Sequence, residues 1–201
     1  MKSTKMKMLV LITVVGLAWG CASTRTLQVD YRLPAGAATL SKSKVALVVT
    51  DKRPNPEILG PGARDNLKDF TGRFILVVVT PDQAYQLTSA FDLTSALHEA
   101  FKRRLEQAGV VVLPKGAAED LVLEIDLREF HMEALGSKWT MKTAYTATMQ
   151  HNGRETANQT ASGSGERIKI MGKREAENLL SDVVTDMVNK LDIPKLLDTA
   201  P

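Results

Sequence analysis

Few side chains in this sequence stand in patterns that could do chemistry. Asp51 and Arg53 are spaced by two at the end of an apolar run. In an extended chain such residues share a face, and two readings are open: a carboxylate and guanidinium that receive a polar ligand, or an ion pair that fixes the loop after a strand. His98 has Glu99 beside it, His131 stands two residues before Glu133, and His151 precedes Asn152-Gly153. None of the three shows HExxH-type or other ligand spacing, so no metal site is expected. Ser162 and Ser164 lie in Ser-Gly-Ser-Gly, which is neither a GxSxG elbow nor a Walker loop; a flexible turn is expected there. With no nucleophile beside a base, the chain is expected not to be an enzyme and to need no cofactor. Cys21, the only cysteine, remains. It is either a buried thiol or a processing site.

The residues before it favour processing. Lys2, Lys5 and Lys7 stand without an acidic residue ahead of an apolar run from Met8 to Trp19, broken only by Thr13. A charged segment, then a short apolar one, then small residues is the layout of a secretory signal. Twelve helical residues reach about 18 Å, well short of the ~30 Å hydrocarbon core, so the run is not expected to span a membrane. Leu17-Ala18-Trp19-Gly20-Cys21 resembles the lipobox of bacterial lipoproteins. The resemblance implies cleavage between Gly20 and Cys21, and acylation of the cysteine. Three acyl chains would make a lasting anchor, since one chain alone is marginal. Ala22, rather than Asp, follows the cysteine, which implies sorting to the outer membrane.

Cleavage changes the charge. The whole chain carries 26 Lys and Arg against 23 Asp and Glu. Loss of Lys2, Lys5 and Lys7 makes the two signs equal, so no basic excess is left for nucleic acid. A single acylated cysteine leaves no internal disulfide. The fold must rest on its core, which 44% hydrophobic residues can supply.

Residues 1–20 are therefore expected to be the signal peptide, 21–26 the lipidated cysteine and a short tether, and 27–201 a single periplasmic domain. Leu27 to Leu33 alternates apolar and polar and predicts a half-buried strand. Lys44–Asp51 predicts a central strand, ended by Pro54, and Phe74–Thr80 another. Leu93, Leu97, Phe101 and Leu105 recur every four residues. They predict a helix over Phe91–Ala108 with Asp92 as N-cap and Gly109 after its end. Val110–Leu113 is a short strand. Leu121, Leu123, Ile125 and Leu127 alternate, and the phase then slips to Phe130 and Met132, predicting a β-bulge near Arg128–Glu129. Trp139 to Met149 is a strand, Asn152-Gly153 a primed hairpin turn, and Glu155–Ser162 a polar edge strand. Arg174–Leu191 predicts a second amphipathic helix, broken at Ile193-Pro194. Two helices against a mostly antiparallel sheet make an α+β domain.

The order of these pieces resembles the YajG-type family of bacterial lipoproteins, which is functionally uncharacterised. The carrying residues are the lipobox around Cys21, Val45 to Arg53 with Leu59-Gly60 after it, and Leu93, Leu97, Leu105 and Gly109. Asp120 to Ile125 and the helix from Asn178 to Met187 complete the likeness. This chain differs by a long segment, roughly 61–90, ahead of the first helix. The resemblance implies an envelope lipoprotein and supplies neither ligand nor active site. The expected function is a non-catalytic binding or accessory module, held through acyl chains on Cys21 at the periplasmic face of the outer membrane, with an envelope protein as possible partner. The alternative is a lipid-carrying or ABC-exporter accessory role, which calls for an apolar cavity behind the continuous strands.

Overall fold

The computed structural model describes residues 25–35, 43–80, 83–114, 120–170 and 172–198. In chain order the elements are β1 (Arg25–Arg32), β2 (Lys44–Asp51), α1 (Pro61–Asn66), β3 (Phe70–Val79), β4 (Ala84–Phe91) and α2 (Leu93–Gln107). There follow β5 (Val111–Leu113), β6 (Leu121–Leu135), β7 (Lys138–His151), β8 (Arg154–Ile168), α3 (Lys173–Asn189) and α4 (Ile193–Asp198). The strands form a three-stranded sheet, β1-β3-β4, and a five-stranded sheet, β5-β2-β6-β7-β8. The fold is α+β. Both sheets are mixed: β1–β3, β2–β5 and β2–β6 run parallel, while β3–β4 and the long β6–β7–β8 meander are antiparallel. The parallel pairs join strands distant in sequence, as crossover connections require.

Local chemistry sets the element ends. The Asp92 carboxylate accepts from the Ser95 N–H at 2.8 Å, capping α2. That bond holds the carboxyl below its ordinary pKa, against the opposing effect of burial. At the other end Gly109 takes φ +88°, and Val110 N–H donates to Leu105 O at 3.0 Å, the 6→1 bond of a Schellman motif. The pairing of β6 with β7 shifts register between Leu127 and Glu129. Arg128 is the extra residue, so Leu127 and Phe130 both face the core. Asn152 and Gly153 have φ +52° and +73°, the primed turn.

The structure departs from the sequence reading at three places. Ser162-Gly-Ser-Gly165 is not a flexible turn but the middle of β8, which runs on to Ile168. The glycines are there for α3: a Cβ on Gly165 would stand 2.8 Å from Leu179 Cδ1 and 2.9 Å from Val183 Cγ2. Residues Ala84–Phe91 form a strand that their weakly patterned sequence does not announce; β4 is set by pairing with β3. Pro61, in the segment ahead of the first expected helix, and Ile193-Pro194, expected at a break, open the short helices α1 and α4. Proline is tolerated in a first turn because its missing N–H has no helical partner there.

The core is continuous between the sheets. α2 buries Leu97, Phe101 and Leu105, with Phe101 edge-on to Tyr145 at 5.3 Å. Phe74 of β3 meets Phe130 of β6 edge-on at 6.3 Å. α3 contributes Leu180, Val184 and Met187. Its adjacent face does something else. Glu177, Ser181, Thr185 and Asn189, spaced by four, line the free edge of β1. Gln28 N–H donates to Glu177 Oε1 at 3.0 Å, Asp30 N–H to Ser181 Oγ at 2.9 Å, and Arg32 N–H to Thr185 Oγ1 at 3.2 Å. Asn189 Nδ2 donates to Arg32 O at 3.0 Å. Ser181→Ala strands the Asp30 N–H at a nearly closed site, at an expected cost of about 1–3 kcal/mol. Urea unfolding reads the cost, and amide exchange should accelerate at Asp30 more than at Val29. A change no larger than that of an exposed serine would contradict the edge-capping role.

Candidate functional site

Gly20 and Cys21 lie outside the described residues. The chain enters the domain at Arg25, where β1 begins two residues ahead of the expected strand start.

The structure brings Asp51 and Arg53 together. Arg53 Nε donates to Asp51 Oδ1 at 2.8 Å and Nη2 to Oδ2 at 2.7 Å, a two-pronged pair. The same guanidinium donates to Phe130 O at 2.9 Å and Pro56 O at 2.8 Å. Its side chain is only 4% exposed. Four of the five guanidinium donors are thus occupied within the protein. The Arg53 side-chain hydrogen bonds hold the Asp51 carboxyl below its ordinary pKa, with partial burial working the other way. The arrangement clasps the loop after β2 onto the bulge of β6. It is poorly placed for proton transfer, since the carboxylate is held ionised by its partner. An open cleft of about 420 Å³ adjoins it, lined by Arg53, Asn55, Arg128, Glu129 and His131. Arg128 in turn reaches Asp126 at 3.0 Å, which Lys52 shares at 2.9 Å.

A second carboxylate was not anticipated. Glu133 Oε1 accepts from Ala63 N–H at 2.9 Å and from Ala134 N–H at 2.7 Å, so it caps the first turn of α1 from across the sheet. His131 Nδ1 lies 3.4 Å from Glu57 O. Leu59-Gly60-Pro61-Gly62 is shaped by this approach: a Cβ on Gly60 would overlap the Glu133 carboxylate, and one on Gly62 would overlap Ala134 O. Two glycines beside a proline, ahead of an unassigned carboxylate, were the available signal.

A second cleft, about 410 Å³, opens between β2 and the start of α2. Val48, Thr94, Ser95, His98 and Glu99 line it, with Val48 41% exposed. Glu99 pairs with Arg103 at 2.6 Å. His151 sits in the β7–β8 hairpin, 3.3 Å from Asn152 Nδ2. Among the described residues, no three His, Cys, Asp or Glu side chains are grouped as a metal site would need. Burial pushes the phenols of Tyr31 and Tyr145 well above their ordinary value, which keeps both neutral.

No protein-family model matches the sequence, and no curated protein matches it. Among solved structures, the chain is similar to a Xanthomonas campestris protein of the family DUF330, at 16% identity and a TM-score of 0.54. The likeness covers 86% of this chain and 94% of that one. The two share a fold. An uncharacterized lipoprotein B from Nitrosomonas europaea matches at 13% identity and TM-score 0.46, over 85% and 93% of the two chains. A minor lipoprotein from Acinetobacter baumannii matches at 11% and 0.42, over 79% and 96%.

Two outcomes follow from the clasps. Arg53→Met leaves buried acceptors unmet and should destabilise the domain by about 1–3 kcal/mol near pH 7. Because Asp51 titrates lower when folded, the stability it contributes is present above its unfolded pKa of about 3.9 and lost as pH falls through the folded value. The gap between wild type and Arg53→Met, read by urea unfolding, should therefore shrink below about pH 4. A gap independent of pH would contradict the clasp. Gly60→Ala should cost about 1–3 kcal/mol through the displaced Glu133, and thermal unfolding indistinguishable from wild type would refute that.

Proposed function

We propose that this chain is a membrane-anchored envelope lipoprotein whose domain serves as a non-catalytic binding or accessory module at the periplasmic face of the outer membrane. One observation carries the reading: a lipobox-like Leu17-Ala-Trp-Gly-Cys21 stands four residues ahead of a strand that is bonded along both sides. Four steps of extended chain reach at most about 14 Å. A module on so short a lead works close to the lipid, and its anchor raises its concentration for a partner confined to the same surface. Ala22 supports sorting outward, and the resemblance to the YajG-type family supports the same compartment. The absence of a long lead also narrows the partner to one that comes to the membrane surface, since the domain cannot reach far from it.

The lipid-carrying or exporter-accessory alternative needs room for an acyl chain. A narrow void between the sheets, bounded by Val29, Phe74, Leu76, Leu97, Phe130 and Val184, is about 10 Å³. That is the space of a single water. The open cleft beside Arg53 has charged walls, while the one between β2 and α2 mixes Leu47, Val48, Val49 and Phe91 with Thr94, Ser95, His98 and Glu99. Neither is a closed apolar cavity of the kind an acyl chain would fill.

Cys21→Ser should abolish acyl labelling and membrane retention; labelling that persists would overturn the anchor. Crosslinking in intact cells, followed by purification and mass spectrometry, should capture a partner with the acylated form and not with Cys21→Ser. Equal capture by both forms would remove membrane confinement from the mechanism.

A further inference from the structure

The domain has an apolar tip that none of its own described residues covers. Leu135, Ile168 and Ile170 are 66%, 61% and 79% exposed. They are neighbours. Leu135 pairs with Lys138 across the β6–β7 turn, and Lys138 pairs with Ile168 on β8, which puts the three side chains in one row on the outer face of the sheet. Lys169 N–H then donates to Ser137 O at 2.8 Å and carries Ile170 past the turn. The segment reads Arg167-Ile-Lys-Ile-Met-Gly-Lys-Arg174, four basic residues among apolar ones and no acid. Acidic residues stand beside it as well: Glu166, paired with Lys138 at 2.9 Å, Glu177, paired with Lys173 at 3.3 Å, Glu175, and Asp65, next to the Asn66 that accepts from Lys169. Arg167 is drawn inward to Asp182 at 2.6 Å.

The position of this tip decides what it meets. Gln28 bonds to Glu177, Asp30 to Ser181 and Arg32 to Thr185, so β1 and α3 run in the same direction. The start of β1 at Arg25 therefore lies at the end of the molecule where α3 starts, at Lys173. Arg25 is also in register with Phe70 at the start of β3, and the neighbouring Asn66 accepts from Lys169 Nζ at 3.0 Å. The chain thus enters the domain at the same end as Leu135, Ile168 and Ile170, four residues after Cys21.

We propose that this tip is a second membrane contact. Leu135, Ile168 and Ile170 enter the boundary between headgroups and acyl chains, and Lys138, Lys169, Lys173 and Arg174 face the phosphates of an anionic leaflet. Apolar side chains flanked by long basic ones suit that boundary, because the stems lie along the apolar layer while the charges stay wet. The contact is too small to hold a protein alone. On the acyl anchor proposed above, on which it rests, it fixes the domain's orientation: the β6–β7 turn goes down, and the β7–β8 hairpin at Asn152-Gly153 goes up, at the far end of a 14-residue strand.

The test uses the full lipidated protein in vesicles of phosphatidylethanolamine and phosphatidylglycerol. With Cys21 acylated, an introduced cysteine is the sole free thiol. Ile170→Cys and Leu135→Cys probe the tip, and Arg154→Cys probes the far hairpin, each labelled with a polarity-sensitive fluorophore. Co-flotation with vesicles reports the anchor independently of the probes. The expected result is flotation of all three variants, with blue-shifted emission at both tip positions and quenching by lipid-borne nitroxide several-fold greater there than at the hairpin. Flotation with tip probes as wet and as weakly quenched as the hairpin probe would overturn the inference and leave the anchor standing. Blue-shifted tip probes that lipid nitroxides do not reach would overturn it in favour of a protein surface. Failure of every variant to float would remove the anchor and the tip contact together.

Discussion

The structure depends on how α3 closes the edge of β1. A strand at a sheet edge presents a row of unpaired backbone groups, and burying that row without partners is costly. Among the described residues, β1 pairs with β3 on one side and with no strand on the other. The missing strand is replaced by a helix. Two strand residues advance about 6.6 Å and four helical residues about 6.0 Å, near enough that one helical stripe can meet every second strand N–H over three rungs. Glu177, Ser181 and Thr185 meet Gln28, Asp30 and Arg32 in that order, and Asn189 closes the row on the Arg32 carbonyl and the Tyr31 hydroxyl. α3 is therefore amphipathic in an unusual sense: beside its apolar stripe runs a stripe of acceptors, buried at Ser181. The same helix lies across Gly163 and Gly165 of β8. Asp182 binds Arg32 on one side and Arg167 on the other. One element thereby joins the two sheets.

This explains which parts of the fold were legible beforehand. Where a decision is local, the residues announce it: the Asp92 cap, the Gly109 stop, the Asn152-Gly153 turn, and the phase slip that marks the bulge at Arg128. Where a distant element decides, they do not. The Ser162–Gly165 stretch reads as a turn by composition, yet its glycines answer to Leu179 and Val183, which arrive later in the chain. β4 has too little alternation to stand as a strand without β3. The four-residue polar spacing on α3 was visible, but its meaning needed the strand that it caps.

The candidate site divides in the same way. That Asp51 and Arg53 would face each other follows from their spacing. That the guanidinium would also bind Phe130 O and Pro56 O does not, because it requires the bulge and the loop to meet. Those two bonds give the residue a bracing role. Glu133 is the converse case, a carboxylate whose bond to the adjacent Ala134 N–H announces nothing and whose capping role appears only when α1 is laid against β6. The anchor site proposed at Cys21 rests on a different kind of pattern. It is a linear one, which would be read in the unfolded chain and requires no tertiary contact.

The anchor proposed at Cys21 would give the β1 ladder a mechanical role as well. A pull between membrane and domain would then enter at Arg25, the start of β1. A strand loaded along its axis between β3 and α3 shears many bonds at once, whereas one peeled from an edge opens them singly. β1 is held on both sides from Gln28 to Arg32, and its inward side chains Leu27, Val29 and Tyr31 are buried. Load arriving at the first strand is thus spread over both sheets through α3 before any single bond carries it. A chain whose first strand lay at an open edge would transmit the same pull to one rung after another, so the position of β1 under α3 suits the short lead that the proposed anchor implies.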